Sequence, residues 1–378
     1  MHIMHLSDLH IGKRLNEFSL IEDQAHILAQ ILQIAGEQRP DVVLIAGDIY
    51  DKAIPSAEAV ELFDDFLFRL AALKMPIIAI SGNHDSPERI AFGGRILCQS
   101  NLFLSPVYNG RVDPVTLTDE FGPVDFYSLP FIKPVHVRRI FPSEPVERYH
   151  DAVSVAINHM PIRPERRNVL VTHQFITGAT RSESEDISVG GTDNVDASLF
   201  NPFDYVALGH LHAPQCVSRE GIRYCGAPLK YDFSESAQEK SVTLVELGAK
   251  GALRIQQIPL TPLRDLRKIR SNYMEITRRD AYLNTPTEDY LYITLTDEQD
   301  VPDAIRKLRT IYPNIMKLDY DNRRTSAHQA LVPSQILANK RPAELFSDFY
   351  AAQNGQPPSE TQLEYLESLI TPIWEVAP

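Results

Sequence analysis

Five short clusters of acidic, amide and imidazole side chains punctuate the chain up to His212. They are Asp8-x-His10 in SDLH, Gly47-Asp48-x-x-Asp51 in GDIYD, Gly82-Asn83-His84-Asp85 in SGNHDS, His173 in VTHQF, and Gly209-His210-x-His212 in GHLH. Singly, each is ordinary, since Asn, Asp and Gly are the residues that turns prefer. As a set they supply Asp carboxylates, an Asn carbonyl oxygen and, His84 apart, four imidazoles, with no thiolate. Mixed nitrogen and oxygen donors suit Mn²⁺, Fe²⁺ or Zn²⁺ and argue against Ca²⁺, which takes oxygen alone. Asp8, His10, Asp48, Asn83, His173, His210 and His212 are too many ligands for one ion. They fit two ions if one carboxylate bridges. Two ions about 3.5–4 Å apart can activate water and stabilise the attacking and leaving oxygens of a displacement at phosphorus. The expected reaction is phosphoester hydrolysis. The residues alone leave open whether Asn83 or His84 touches the metal.

Such side chains must be held by strand ends, and the sequence provides them. HIMHL, DVVLIA, MPIIAI, RRNVLVTH and FDYVALG are apolar runs that stop where the polar chemistry begins. Between them, FSLIEDQAHILAQILQIAGEQ places Ile21, Ala25, Leu28, Ile31, Leu32 and Ala35 on one helical face, and AEAVELFDDFLFRLAAL is a second amphipathic helix. Alternating strands and helices with polar residues at strand ends predict an open α/β layout with its site at the carboxyl ends of strands. Farther on, SVTLVELGAKGALRIQQIPL reads as a hairpin turning near Gly248 to Gly251. After TPLRDLRKIR, the runs LYITLT, VPDAIRKLRTIY and IMKLDY give a small strand–helix–strand module. The proline-marked HQALVPSQILANKRP precedes two helical segments, PAELFSDFYAAQ and SETQLEYLESLITPIW.

Composition sets limits. A chain of 378 residues with 43% hydrophobic and 23% charged content predicts an ordinary globular protein of two or three domains. Cys98, Cys216 and Cys225 form no close metal spacing, and their odd number argues against a disulfide framework. A reducing cytoplasm is expected, with no signal peptide at MHIMHLSDLHIG and no membrane-spanning run. The formal net charge of −13 points away from a self-sufficient nucleic-acid binder. A phosphate-rich substrate would have to be held by metal ions, another subunit or local basic clusters. Arg138 and Arg139, Arg163 with Arg166 and Arg167, and Arg264, Arg267, Lys268 and Arg270 are such clusters.

The five motifs resemble those of the calcineurin-like metallophosphoesterase superfamily. Segments across nearly the whole chain are similar to the SbcD family, the nuclease subunits of bacterial SbcC–SbcD DNA-repair complexes. These segments are FITGATRSESEDISVGGTDNVDASLF leading into FDYVALGHLH, then RYCGAPLKYDFSE, LPFIKPVHVRRIFP and ELFSDFY. The resemblance implies an α/β (α+β) double-sheet sandwich flanked by helices, a smaller α/β capping domain and a C-terminal helical pair. It places a nuclease domain at 1–262, a DNA-capping domain at 263–335 and a partner-docking segment at 336–378. It implies that Asp8, His10 and His212 hold the first ion, that Asn83, His173 and His210 hold the second, and that Asp48 bridges. His84 would be a catalytic non-ligand that protonates or stabilises the leaving oxygen, with Asp85 orienting it and Asp51 behind the ligands. A neutral Asn83 would leave the centre net positive for an anionic phosphodiester, an attraction an Asp would cancel.

The same resemblance implies Mn²⁺ in preference to Mg²⁺, Fe²⁺ or Zn²⁺, a homodimer, and an SbcC-type, SMC-like ATPase partner. With that partner it implies double-strand exonuclease and single-strand or hairpin endonuclease activity in DNA repair and recombination. Arg138, Arg139, Arg166 and Arg167 are the candidate DNA contacts. Leu345, Phe346, Phe349 and Tyr350, with Leu363, Leu366, Leu369 and Ile370, form apolar stripes suited to docking in a partner's groove. The metal-ligand set would equally serve a small-molecule or cyclic-nucleotide phosphodiesterase, or a non-catalytic subunit whose metals are structural. The second domain and terminal helices favour the nuclease over the small-molecule enzyme.

Overall fold

The motif-bearing runs become the central strands of two packed sheets in the computed structural model, which describes residues 1–182, 194–322, 342–354 and 357–374. Residues 183–193 of the FITGATRSESEDISVGGTDNVDASLF stretch, nearly all of HQALVPSQILANKRP and the 335/336 boundary lie outside the described residues, as does the Ile370 side chain. The strands in chain order are β1 (His2–Leu6), β2 (Arg14–Leu15), β3 (Phe18–Ser19), β4 (Val42–Ala46), β5 (Ile77–Ile80) and β6 (Leu102–Leu104). Next come β7 (Val115–Asp119), β8 (Gly122–Leu129), β9 (Arg167–His173), β10 (Tyr205–Gly209), β11 (Gln215–Val217) and β12 (Arg219–Tyr224). The last are β13 (Ser241–Leu247), β14 (Leu253–Pro259), β15 (Leu266–Ser271), β16 (Tyr290–Leu295) and β17 (Ile315–Tyr320).

The chain divides into two units, Met1–Lys268 with Glu288–Tyr292, and Ile269–Thr287 with Ile293–Pro378. In the larger unit one six-stranded sheet runs β14-β13-β1-β4-β5-β6 and the other β11-β12-β10-β9-β8-β7. The inner strands pair in parallel, β1 with β4, β4 with β5, β8 with β9 and β9 with β10. Parallel strands covered on both faces read as continuous apolar runs, and every residue of β4, β5, β9 and β10 is buried. Ile3, Val42, Leu44, Ile78 and Ile80 of the first sheet pack on Val124, Phe126, Val169, Val171 and Ala207 of the second. The outer face of the second sheet, with Leu129, Leu170, Val206 and Leu208, is covered by Ala152, Val153 and Ala156 of the helix Tyr149–Asn158. The hairpin lies where the sequence puts it, β13 pairing with β14 around a turn closed by Gly248 N to Ala252 O at 3.0 Å.

The helix Ile21–Gln38 buries a face rotated from the expected one. Ile27, Leu28, Ile31, Leu32, Ile34 and Ala35 are buried, but Ala25 is exposed and Asp23 and Gln24 take its place. The polar pair has fixed partners. Asp23 accepts from Tyr290 Oη at 2.7 Å and Arg264 Nε at 3.1 Å, and Gln24 Nε2 donates to His10 O at 2.7 Å. Hydrogen bonding thus outweighs the apolar pattern in the first turn. The helix Ala57–Ala72 buries Phe63, Phe66 and Leu70 and is capped by Ser56, whose Oγ accepts from Ala59 N at 3.3 Å.

A three-stranded sheet, β15-β16-β17, follows, with residues of β15 and β16 in both units. The helices Pro342–Asn354 and Glu360–Trp374 of the smaller unit touch one another through Gln362 Nε2 and Tyr350 Oη at 3.1 Å. Phe346, Phe349 and Leu369 are exposed, while Leu345, Tyr350 and Leu366 are half-buried. Among the described residues no helix is long and apolar enough to cross a membrane.

Candidate metal centre

All five motifs emerge at the carboxyl ends of strands in the larger unit and meet between the two sheets. The segments after β1 and β4 zip together: Asp8 N donates to Gly47 O and His10 N to Asp48 O, each at 3.0 Å. His210 N then donates to Asp8 Oδ1 at 3.0 Å, tying the end of β10 to the end of β1. Two glycines permit this crowding. A Cβ on Gly82 would lie 2.1 Å from Asp48 Oδ1, and one on Gly209 would lie 1.9 Å from Ala46 O. Four of the side-chain donors pay for the geometry in backbone strain, because Asp8, His10, Asp48 and His210 all have positive φ, up to 104° at His210.

The donor atoms converge. His173 Nε2 and His210 Nδ1 lie 2.9 and 3.0 Å from Asn83 Oδ1, and the Nε2 atoms of His10 and His212 are 3.2 Å apart. Asp48 Oδ2 sits between these groups, 3.3 Å from His173 Nε2, 3.7 Å from His10 Nε2 and 4.0 Å from His84 Nε2. Three overlapping sets have ligand atoms within 4.8 Å of one another among the described residues: Asp8–His10–His212, Asp8–Asp48–His173 and His10–Asp48–His84. Asp8, His10, Asp48, His173 and His212 are buried, whereas the His84 side chain is 32% exposed. Facing imidazole nitrogens beside carboxylates and an amide oxygen make a site rich in lone pairs and poor in protons. Divalent cations satisfy that chemistry, and the all-nitrogen-and-oxygen donor set fits borderline ions.

The protonation balance of the metal-free site is mixed. Burial opposes ionisation of Asp48, but His173, with its charge and hydrogen bond, and His10 hold its carboxyl well below the usual range. Burial would lower His173, yet Asp48 and Asp8 outweigh it and raise the imidazole to about 9. Burial, with Asp48 nearby, raises Asp8 to about 6. Burial lowers His210 to about 3, helped by the neighbouring His173.

One role expected from the sequence changes. Asp85 makes its contacts away from His84; its carboxylate accepts from Gly82 N at 2.9 Å, Tyr50 N at 2.9 Å and Ile49 N at 3.1 Å. It fastens the loop after β5 to the loop after β4. His84 Nδ1 instead lies 3.0 Å from the backbone oxygen of Asp51. A backbone carbonyl therefore orients the ring, and adjacency in sequence misassigned the partner. The Asp51 carboxylate pairs with Lys13 at 2.9 Å and lies 3.8 Å from His10 Nδ1, behind the donors.

The basic cluster before β9 also changes. Arg167 is 3% exposed and donates to Asp119, Gly122 O and Gly248 O, and Arg166 joins Arg163 on the fully buried Asp125. Arg167 is taken up by the fold because the register of β9 turns it inward, while Arg163 and Arg166, ahead of the strand, are half-buried on Asp125. Arg138 and Arg139 remain exposed. The sequence reading missed residues behind the donors: Glu235 Oε1 lies 2.8 Å from His212 Nδ1, and Gln24 and Tyr231 hold the carbonyls of Leu9 and His10. Glu235 lies in the polar run FSESAQEK, whose composition is that of a surface loop.

Comparisons with known proteins give the family. Residues 1–214 match the family described as calcineurin-like phosphoesterase, and residues 262–354 match one described as the type 5 capsule protein repressor C-terminal domain. The SbcD component of the SbcCD nuclease of Staphylococcus saprophyticus is 34% identical, the alignment covering 99% of each chain. Its counterpart in Staphylococcus epidermidis is 32% identical over 98% of each. The chain belongs to the calcineurin-like phosphoesterases and, among them, to the SbcD family of metal-dependent nucleases.

Proposed function

We propose that this chain hydrolyses phosphodiester bonds of DNA in repair and recombination, as a homodimer working with an SbcC-type, SMC-like ATPase. Its activities are double-strand exonuclease and single-strand or hairpin endonuclease. The observation that carries the reading is the convergence of seven buried or half-buried donors, Asp48 among them, with a half-buried imidazole, His84, at their edge. Asp8, His10 and His212 would hold one ion and Asn83, His173 and His210 the other, with Asp48 placed to serve both. Mn²⁺ is the ion of choice. When bound, the two ions supply charge for the phosphate oxygens and an activated water.

The remaining chemistry belongs to side chains. His84, its Nδ1–H held at the Asp51 carbonyl, turns Nε2 toward the donor cluster, where the ring in its imidazolium form donates a hydrogen bond or proton to the departing sugar oxygen. Asp85 keeps the Asn83–His84 turn against the Asp48 loop. The smaller unit caps the DNA, and the exposed apolar residues Phe346, Phe349 and Leu369, with Leu345, Tyr350 and Leu366, dock on the ATPase. Arg138 and Arg139 contact phosphate. A net charge of −13 makes tight binding depend on metal and partner.

The test compares parent and His84→Gln on linear duplex, hairpin DNA, a chromogenic diester and a cyclic nucleotide, with Mn²⁺ and with and without a candidate ATPase and ATP. The parent should degrade DNA in an ATP-dependent way. His84→Gln should keep both ions and the partner while cleavage falls by about 10²–10⁴. Preference for the cyclic nucleotide, or full activity in His84→Gln, would sink the reading.

A further inference from the structure

Glu235 is fully buried and lies outside all five motifs. Its carboxylate has two tasks. Oε1 accepts from His212 Nδ1 at 2.8 Å, and Oε2 accepts from Lys240 Nζ at 2.7 Å and from Tyr231 N at 3.3 Å. Lys240 is itself 5% exposed and also donates to the backbone oxygen of His212 at 2.9 Å. One ammonium therefore holds both the histidine's main chain and the carboxylate that faces its ring. With Nδ1 donating to Glu235, the Nε2 lone pair of His212 points at His10, 3.2 Å away, and into the cluster with Asp8.

A buried ion pair is a poor device for stability alone, since apolar residues of similar size often do as well. A carboxylate behind an imidazole has a different effect: it fixes tautomer and ring orientation and makes the other nitrogen a better ligand. That backing is unevenly distributed. His173 rests its Nδ1 on a neutral partner, the Ala46 oxygen at 2.8 Å, and His210 turns its Nδ1 inward to Asn83. His10 Nδ1 has no hydrogen-bond partner among the described residues, the nearest carboxylate oxygen, Asp51 Oδ1, standing 3.8 Å away.

We propose that Glu235, held by Lys240, is a positioning residue for His212 and sets the ion affinity of the Asp8–His10–His212 position alone. The two positions consequently fill at different concentrations of metal. This rests on the ligand reading given above.

The test is a Mn²⁺ titration of the full chain by calorimetry and by the electron paramagnetic resonance signal of free Mn²⁺. Two variants are compared, Glu235→Ala with Lys240→Met, and Glu235→Gln with Lys240→Met. Both lack the ion pair, but only the second keeps an acceptor for His212 Nδ1. The parent should bind two ions. The alanine variant should bind one with parental affinity and one about 10–100-fold more weakly, and the glutamine variant should recover most of the loss. Equal binding by both variants, weakening of both positions together, or loss of the metal-free fold in both variants would overturn the role of Glu235. A parent that binds fewer than two ions would overturn the ligand reading beneath it.

Discussion

Replacing Arg167 by alanine separates a structural guanidinium from one that grips DNA. The side chain is 3% exposed, with Asp119 on both of its terminal nitrogens and three backbone oxygens, those of Gly122, Leu247 and Gly248, around it. Asp119 is held well below the usual carboxylate range, with the hydrogen bond from Arg167 as the largest cause. Removing one partner of a buried pair costs about 3–5 kcal/mol. For a unit of this size, at roughly 2–4 °C per kcal/mol, melting should fall by about 10 °C. The measurement is thermal and urea unfolding of metal-free Arg167→Ala; Asp119 keeps the Met1 ammonium, 2.6 Å away, as a second cation, which puts the loss at the lower end of that range. DNA affinity is measured on the same proteins across a salt series, with Arg138→Ala/Arg139→Ala as the contrast. That surface variant should melt like the parent and show a binding salt slope shallower by about one to two. An Arg167→Ala protein with parental melting and a shallower salt slope would refute the structural assignment.

Two further outcomes follow from the centre. The folded-state value of His173, about 9 against 6.5, means that its charged pairing with Asp48 stabilises the metal-free protein fully below pH 6.5 and fades as pH rises through 9. An ion needs the neutral ring, so Mn²⁺ affinity should rise by up to tenfold per pH unit between 7 and 9, with about one proton released. Below about pH 6, protonation of Asp8 should steepen the loss. Calorimetry in buffers of different protonation enthalpy checks both, and pH-independent affinity would contradict them. Asp85→Ala should weaken Mn²⁺ binding by about tenfold or more as well as cleavage, because the backbone donors it gathers flank Asn83 and Asp48. Parental ion binding with lost cleavage would restore Asp85 to His84.

The donors were legible because each follows an apolar run that can only be a buried strand, and because glycine precedes Asp48, Asn83 and His210 where backbones crowd. The same runs alone predict only an open α/β layout, and the two-sheet sandwich was carried by the family resemblance. What could not be read was which side chain faces which. Asp85 follows His84 directly, yet the carboxylate folds back to Gly82 N while the ring finds an oxygen 33 positions earlier. Arg167 looks like one more residue of a basic cluster until strand register puts it inside. Ala25 sits on the apolar helical face by periodicity, but the buried Asp23 and Gln24 rotate the helix through hydrogen bonds with Tyr290, Arg264 and the His10 loop. Glu235 depends on a distant contact, 23 residues from His212, that no local pattern marks.

The division of donors between two sheets has a consequence for how the chain is made. The strands β1, β4 and β5 carry Asp8, His10, Asp48 and Asn83, while the ends of β9 and β10 carry His173, His210 and His212. The open edge of β1 is closed only by β13, after residue 240. During synthesis from the N-terminus, a nascent chain holding the first sheet's central strands has no imidazole from the second. It cannot assemble both ion positions, whatever metal is present. A DNA-cutting activity is thereby withheld until about two thirds of the polypeptide has emerged and the two layers have closed, so the topology itself serves as a safety interlock.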